Sequence, residues 1–283
     1  MSVAQARERG ALPSRPQGTL LALILDTSRL QFRTVVIWGV ALGALSALTV
    51  SSYPPFSEGN QLNEMIRNYP PAMREMFGIT EGMDLSTIEG FLASQLFNFL
   101  VPLALAFFPT LASAGAIAGA EERGTIDVLL GNVIPRWQLV VGSFVATAVS
   151  LLGIVAILGL FTWVPALLLD VKLSIEETAR AVPNLGPLCA FFGGLAMLCS
   201  AVFHRRVLAS AIPGAVLVAR YFVNALGNLV KELKDAQPFS AFHYYGSALE
   251  DGIDWADFVG VSLAALVLVV LAVLAFRRRD IYT

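Results

Sequence analysis

Charge is scarce in this chain. Of its 283 residues only 14% are Asp, Glu, Lys or Arg, against roughly a quarter in a soluble globular domain. Cysteine is nearly absent. Cys189 and Cys199 lie ten residues apart in one apolar run, about 15 Å along a helix, too far for a disulfide. The two histidines, His204 and His243, belong to no metal-ligand spacing. Both fall at or beyond the ends of apolar runs, which counts against a Ser/His protease buried in a membrane. No Gly-x-x-x-x-Gly-Lys-Ser/Thr loop occurs, so the chain lacks the means to cradle a nucleotide's phosphates. With a net charge of −2 it shows no sign of a nucleic-acid partner. No metal site, no cofactor and no catalytic group of its own are expected.

What is abundant is apolar. Hydrophobic residues make up 56% of the chain and mean hydropathy is +0.70. A transmembrane helix needs about 20 mostly apolar residues. Six segments qualify, at about 34–53, 91–119, 137–169, 184–203, 207–230 and 257–276. The expected fold is an all-α polytopic membrane protein with short amphipathic interfacial helices. Breaks are expected at Tyr53-Pro54-Pro55, Asp170 to Pro183, His204-Arg205-Arg206 and Lys231 to Asp254.

Basic residues orient the chain. Twelve of the 19 Lys and Arg lie in the N-terminal segment, the 120–136 loop, the 204–206 turn and the closing "FRRRDIYT". Six lie in the alternate loops, and Arg220 lies inside a span. Both termini are therefore expected in the cytosol. Residues 1–33 read as a cytosolic tail with an interfacial helix over 17–33, and 34–283 as the six-helix domain. A plain helical extension of the first span fits 17–33 equally well. The apolar "LLALIL" is short, runs into Asp26 and is followed by no small-residue cleavage site, unlike a signal peptide. In the longest outer loop, "YPPAMREMFG" sets Pro70 and Pro71 where a helix starts and Gly78 where it stops. It reads as a surface helix or as a lid.

The stretch "AGAEERGTIDVLLGNVIPRW", residues 118–137, is charged and glycine-marked between two spans. A helix over 121–131 would place Glu121 and Glu122 at the positive end of its dipole. Ile126, Leu129, Leu130 and Val133 would share one apolar face, with Arg123 and Asp127 turned away. Pro135 would start the next helix, and Arg136 with Trp137 would anchor it at the headgroups. Such an element suits docking to a soluble partner.

This stretch resembles the cytosolic segment of ABC-2 type transporter permeases. There a Glu-Glu-x-Gly-Thr block precedes a Leu-Leu pair and a Pro-Arg-like step into the third helix. The six spans, the long first outer loop and the terminal "FRRRD" fit the same family. The resemblance implies that 121–131 is a coupling helix seated in a groove of a separate ABC ATPase subunit. Glu121, Glu122, Arg123, Gly124, Thr125 and Asp127 would be its docking residues. It further implies ATP and Mg on that partner, a second permease subunit (homo- or heterodimer), surrounding membrane lipid, and export by alternating access. Importer permeases are close cousins, but the Glu-Ala-Ala opening of their loop is missing here.

Polar groups within spans are costly and often functional. Arg220, Asn224 and Asn228 recur at i, i+4 and i+8 on one side of span five. Gln95 and Asn98 lie near the outer end of span two, followed by Pro102 and Pro109. These five polar residues are candidates for a translocation path or for hydrogen bonds between helices. The prolines are candidates for a hinge or a static kink. Gly39 and Gly43 mark close packing without naming the partner helix. An ion-coupled secondary transporter built around Arg220 is the alternative class, against which stand the lack of a carboxylate in span five and of an inverted repeat. A non-transporting scaffold or sensor subunit is a third. Abundant Ala, Val and Gly, with Arg favoured over Lys, suggests a bacterial source and hence the bacterial cytoplasmic membrane.

Overall fold

The computed structural model describes residues 20–53, 68–70, 73–74, 87–125, 135–171, 173, 175–227, 230–245 and 253–279. Among them there are helices and turns and no strand. The long helices are α1 (Leu20–Ser52), α3 (Leu100–Ala116), α5 (Arg136–Leu168), α6 (Ile175–Val202), α7 (Arg206–Leu226) and α9 (Trp255–Arg278). Short helices α2 (Ile88–Leu92), α4 (Ala118–Glu122) and α8 (Lys231–Lys234) complete the set. Five of these are long and apolar enough to cross a membrane, or six when the bent pair Ile88–Phe97 and Leu100–Ala116 counts as one span.

Helix α6 is the centre. Within its apolar window 67% of residues are buried, against 22–33% in the other four. It packs on α3, α7 and α9, while α1 lies mainly against α5. A Cβ on Gly39 would meet Ile157 at 2.8 Å, and one on Gly43 would meet Phe161 at 2.9 Å. The glycine pair therefore lets α1 approach α5 closely. Ser46 and Thr162 share a buried hydrogen bond of 2.6 Å in the same seam, and Gln31 Nε2 donates to Thr147 Oγ1 at 3.3 Å. The contacts 31–147, 39–157 and 43–161 advance together, so α1 and α5 run parallel. By the same test α6 runs parallel to α3 and to α9. Alternating direction along the chain is what six successive crossings require.

Two open readings are decided and one expected break is corrected. Residues 20–33 are the start of one uninterrupted helix, with no separate interfacial element. Nothing between Leu20 and Trp38 is a proline or a glycine, so the hydrogen-bond ladder has no reason to stop there, and a domain boundary at 33/34 falls inside α1. At 33 residues α1 is about 50 Å long, which exceeds the ~30 Å hydrocarbon layer. Second, the 170–183 segment is not a loop throughout, because α6 begins at Ile175 and carries Pro183 and Pro187 inside it. Third, span two is broken. It turns by 43° between Phe97 and Leu100, after a π-helical turn at Ala93–Phe97. Pro102 has no N–H for the Asn98 carbonyl and its ring crowds that carbonyl, so the ladder fails four residues upstream of the proline. The surface helix expected over 70–78 lies largely outside the described residues.

Helix α5 ends on a strained residue. Asp170 has φ +52°, and Val171 N–H bonds back to Ala166 C=O at 3.0 Å, the closure usually built around glycine. An anion at a helix C-terminus also opposes the dipole. Asp170→Gly is therefore expected to raise the thermal unfolding midpoint in detergent, by up to about 1 kcal/mol of stability. A lowered midpoint would show that the carboxylate has a favourable partner.

Candidate functional site

The expected docking stretch sits where four helices end, and its geometry differs from expectation. The apolar run persists through Ala118–Ala120, so the chain is helical before Glu121 rather than from it. After α3 the ladder breaks at Ile117. There the Ser200 hydroxyl of α6 accepts from Ile117 N–H at 3.2 Å and Ala118 N–H at 3.0 Å. It donates to Ala114 C=O at 2.9 Å. A side chain inserted into the ladder is a recognised cause of helix breaks.

Helix α4 then carries Glu121 and Glu122 at its end. Gly124 closes it with φ +65°. Gly124 N–H bonds to Glu121 C=O and Thr125 N–H to Ala120 C=O, both at 2.9 Å, the paired bonds of a Schellman stop. Thr125 Oγ1 adds a bond to Ala120 C=O at 3.0 Å. The two carboxylates therefore do not cap a helix over 121–131 as expected. They serve other helices. Glu122 Oε1 accepts from Arg206 N–H at 2.8 Å and so caps α7 at its positive end.

Glu121 faces inward. Its Oε1 lies 2.8 Å from His204 Nδ1, and its other oxygen pairs with Arg279. Arg279, whose side chain is 9% exposed, also contacts His204. Its Nη1 donates to the carbonyls of Ser200, Ala201 and Phe203 at 3.3, 3.0 and 3.4 Å, at the negative end of α6. Arg136 does the same for α9, donating to Phe276 C=O at 3.2 Å and Arg279 C=O at 2.6 Å. Its guanidinium stacks 5.6 Å above the Phe276 ring. The expected headgroup anchor at Arg136 is thus a helix cap, and Trp137 alone stays exposed. Cations at C-termini and an anion at an N-terminus all follow the dipoles. Arg123, Gly124 and Thr125 remain exposed at the tip, while Asp127 and the rest of 126–131 lie outside the described residues.

Beside this tip a groove of about 790 Å³ opens between α1, α3 and α5. Arg123, Thr125 and Arg206 line one end, Gln31, Ser143 and Thr147 a wall, and Trp38 with Phe108 the other end.

The translocation candidates lie toward the opposite end, and none of them lines this groove. Gln95 is exposed and Asn98 is half-buried at the bend. Arg220 is half-buried six residues before the end of α7, within reach of a snorkelling side chain rather than at mid-membrane. Its carbonyl accepts from Ser240 Oγ at 2.9 Å, and that of Asn224 from Gln237 Nε2 at 3.0 Å. Asn228 lies outside the described residues. An aromatic cluster lies here instead, with Tyr221 5.5 Å from both Phe99 and Phe242. Tyr245 donates to Phe97 C=O at 3.0 Å, and burial pushes its hydroxyl up beyond the usual phenol range, which keeps it a donor. The described residues hold no cluster of three metal-ligating side chains, and both cysteines are free and buried.

Apolar helices crossing in alternation, with charged turns gathered at one end, define a multi-pass membrane protein. The family described as ABC-2 family transporter protein matches residues 27–281. The chain belongs to that family, and is a membrane permease of the ABC-transporter type. No curated protein matches it significantly.

Proposed function

We propose that this chain is the membrane subunit of an ATP-driven exporter in a bacterial cytoplasmic membrane. It works with a separate ABC ATPase, which binds ATP and Mg, and with a second permease subunit. The chain itself hydrolyses nothing. The 118–125 turn lies on the cytosolic side and receives the ATPase. One observation carries this reading: Glu121, Glu122 and their partners tie that turn to the ends of α6, α7 and α9. A push on the turn therefore moves three spans together, with the Ser200-filled break at Ile117 and the 43° bend of span two as the places where the bundle yields. Alternating access needs such a rigid grip beside compliant points.

Orientation is tested by cysteine labelling in intact cells, with Cys189 and Cys199 replaced by Ala. Cysteines at Ser57 and Asp251 are expected to react with an impermeant thiol reagent. Cysteines at Thr125 and Thr283 are expected to react only after lysis. Labelling of Thr125→Cys from outside would remove the docking role of the turn.

A further inference from the structure

We infer that the groove beside the 118–125 turn is a binding site for one membrane lipid with an anionic headgroup. The inference needs only that the bundle lies in a bilayer and does not depend on the direction of transport. At the mouth two arginines lie over one glycine strip. A Cβ on Gly119 would sit 3.3 Å from Arg123 Nη1 and 3.3 Å from Arg206 Cδ, and one on Gly115 would sit 3.5 Å from Arg206 Nε. Both arginine side chains therefore lie close over this glycine-lined helix face, most tightly at Gly119. Two like charges side by side repel, and among the described residues no carboxylate lies within ion-pair distance of either guanidinium. Glu122 is engaged instead by the Arg206 backbone N–H at 2.8 Å, which fixes the root of that side chain. A phosphate group accepts from paired guanidinium forks with favourable geometry.

Away from the mouth the lining turns mostly apolar. It follows α3 from Ala116 back to Phe108, and the Trp38–Phe108 ring contact, with centroids 6.4 Å apart, lies at its far end. From Phe108 to Arg123 is about 20 Å by the helical rise, a length suited to a hydrocarbon chain. The volume of about 790 Å³ is within the roughly 300–1,000 Å³ of sites that bury small ligands. A cationic mouth, a partly hydroxylated wall and an apolar floor match an anionic head with an acyl tail. They match neither a free ion nor a neutral hydrocarbon.

The test is native mass spectrometry of the purified full chain in a neutral detergent. It is titrated with palmitoyl-oleoyl phosphatidylglycerol or with phosphatidylcholine of the same chains. One phosphatidylglycerol per chain should be retained, about tenfold or more in preference to phosphatidylcholine, as one or two charge-assisted hydrogen bonds would give. Arg123→Gln combined with Arg206→Gln should equalise the two lipids and keep the Glu122 cap, which uses only backbone. Ala112→Phe, or Gly115→Leu if the first variant is poorly folded, should fill the groove and reduce retention of both. Millimolar inorganic phosphate should not displace the lipid. Equal retention of both lipids by the unaltered chain would overturn the inference. So would a preference that survives the double Gln variant, or displacement by phosphate, which would make this a free-anion site. Lipid retention that appears only after deletion of residues 1–19 would also overturn it, since the natural occupant would then be the chain's own N-terminal segment.

Discussion

Arg279→Ala is expected to lower the unfolding midpoint in detergent by about 10 °C, the consequence of losing roughly 3–5 kcal/mol. The reason is what the guanidinium leaves behind. The carbonyls of Ser200, Ala201 and Phe203 each lose a donor, and Glu121, only 15% exposed, keeps a charge with His204 alone beside it. Arg277 and Arg278 stand next to it in sequence but are exposed. Their Ala variants should stay within about 0.5 kcal/mol of the unaltered chain. Arg279→Lys should recover only part of the loss, since an ammonium is a point charge and cannot span Glu121 and three carbonyls at once. Equal, small effects from all three arginines would mean that the cluster is only a solvated group of charges.

Ser200→Ala is expected to cost nearly as much. Its hydroxyl is fully buried and serves three backbone groups at the Ile117 break. Each buried polar group left without a partner costs about 1–3 kcal/mol. A matched control lies on the neighbouring helix. Ser113 is equally buried, yet among the described residues its Oγ makes no hydrogen bond. Ser113→Ala is therefore expected to be neutral or slightly stabilising. Parallel thermal melts of the two variants read the difference directly. If Ser200→Ala melts with Ser113→Ala, the helix has closed its own ladder across Ile117, and the serine is not what holds the break open.

The spans were legible because a bilayer demands long apolar runs and little else produces them. The 91–119 run announced span two, and Pro102 and Pro109 announced that it bends. The position of the bend follows from the carbonyl to which Pro102 has no N–H to offer, and it falls at Asn98. Residues 121–131 were read as one helix because apolar spacing and two leading carboxylates fit that pattern. Gly124 counted among the docking residues, and its positive φ makes it the stop of α4. Only Glu122 meets a positive helix end in the structure, whereas Glu121 pairs with Arg279 and His204. Sequence could not say that for Glu122 the end is that of α7, which begins 84 residues later. Ser200 gave no signal at all, since a serine in an apolar run reads as a neutral filler. Three successive arginines in "FRRRD" look alike until the packing turns one of them inward. Gly39 and Gly43 did announce close packing, and only the structure names α5 as the partner.

These placements also change which variants probe docking. Glu121→Lys would set a cation against Arg279 and unsettle the fold, so loss of a partner in that variant would be ambiguous. Thr125→Trp and Arg123→Glu alter exposed side chains at the tip of the turn and should leave the permease at normal abundance. Gly124→Asn retains a residue that tolerates the left-handed region and serves as the control. The decisive measurement is the amount of ABC ATPase retained when the full chain is affinity-purified from its native membrane. With the unaltered chain and Gly124→Asn an ABC ATPase is expected to co-purify. With Thr125→Trp and Arg123→Glu most of it should be lost while permease abundance and melting hold. Unchanged ATPase retention in both tip variants, or no ATPase with the unaltered chain, would contradict a docking role for residues 118–125.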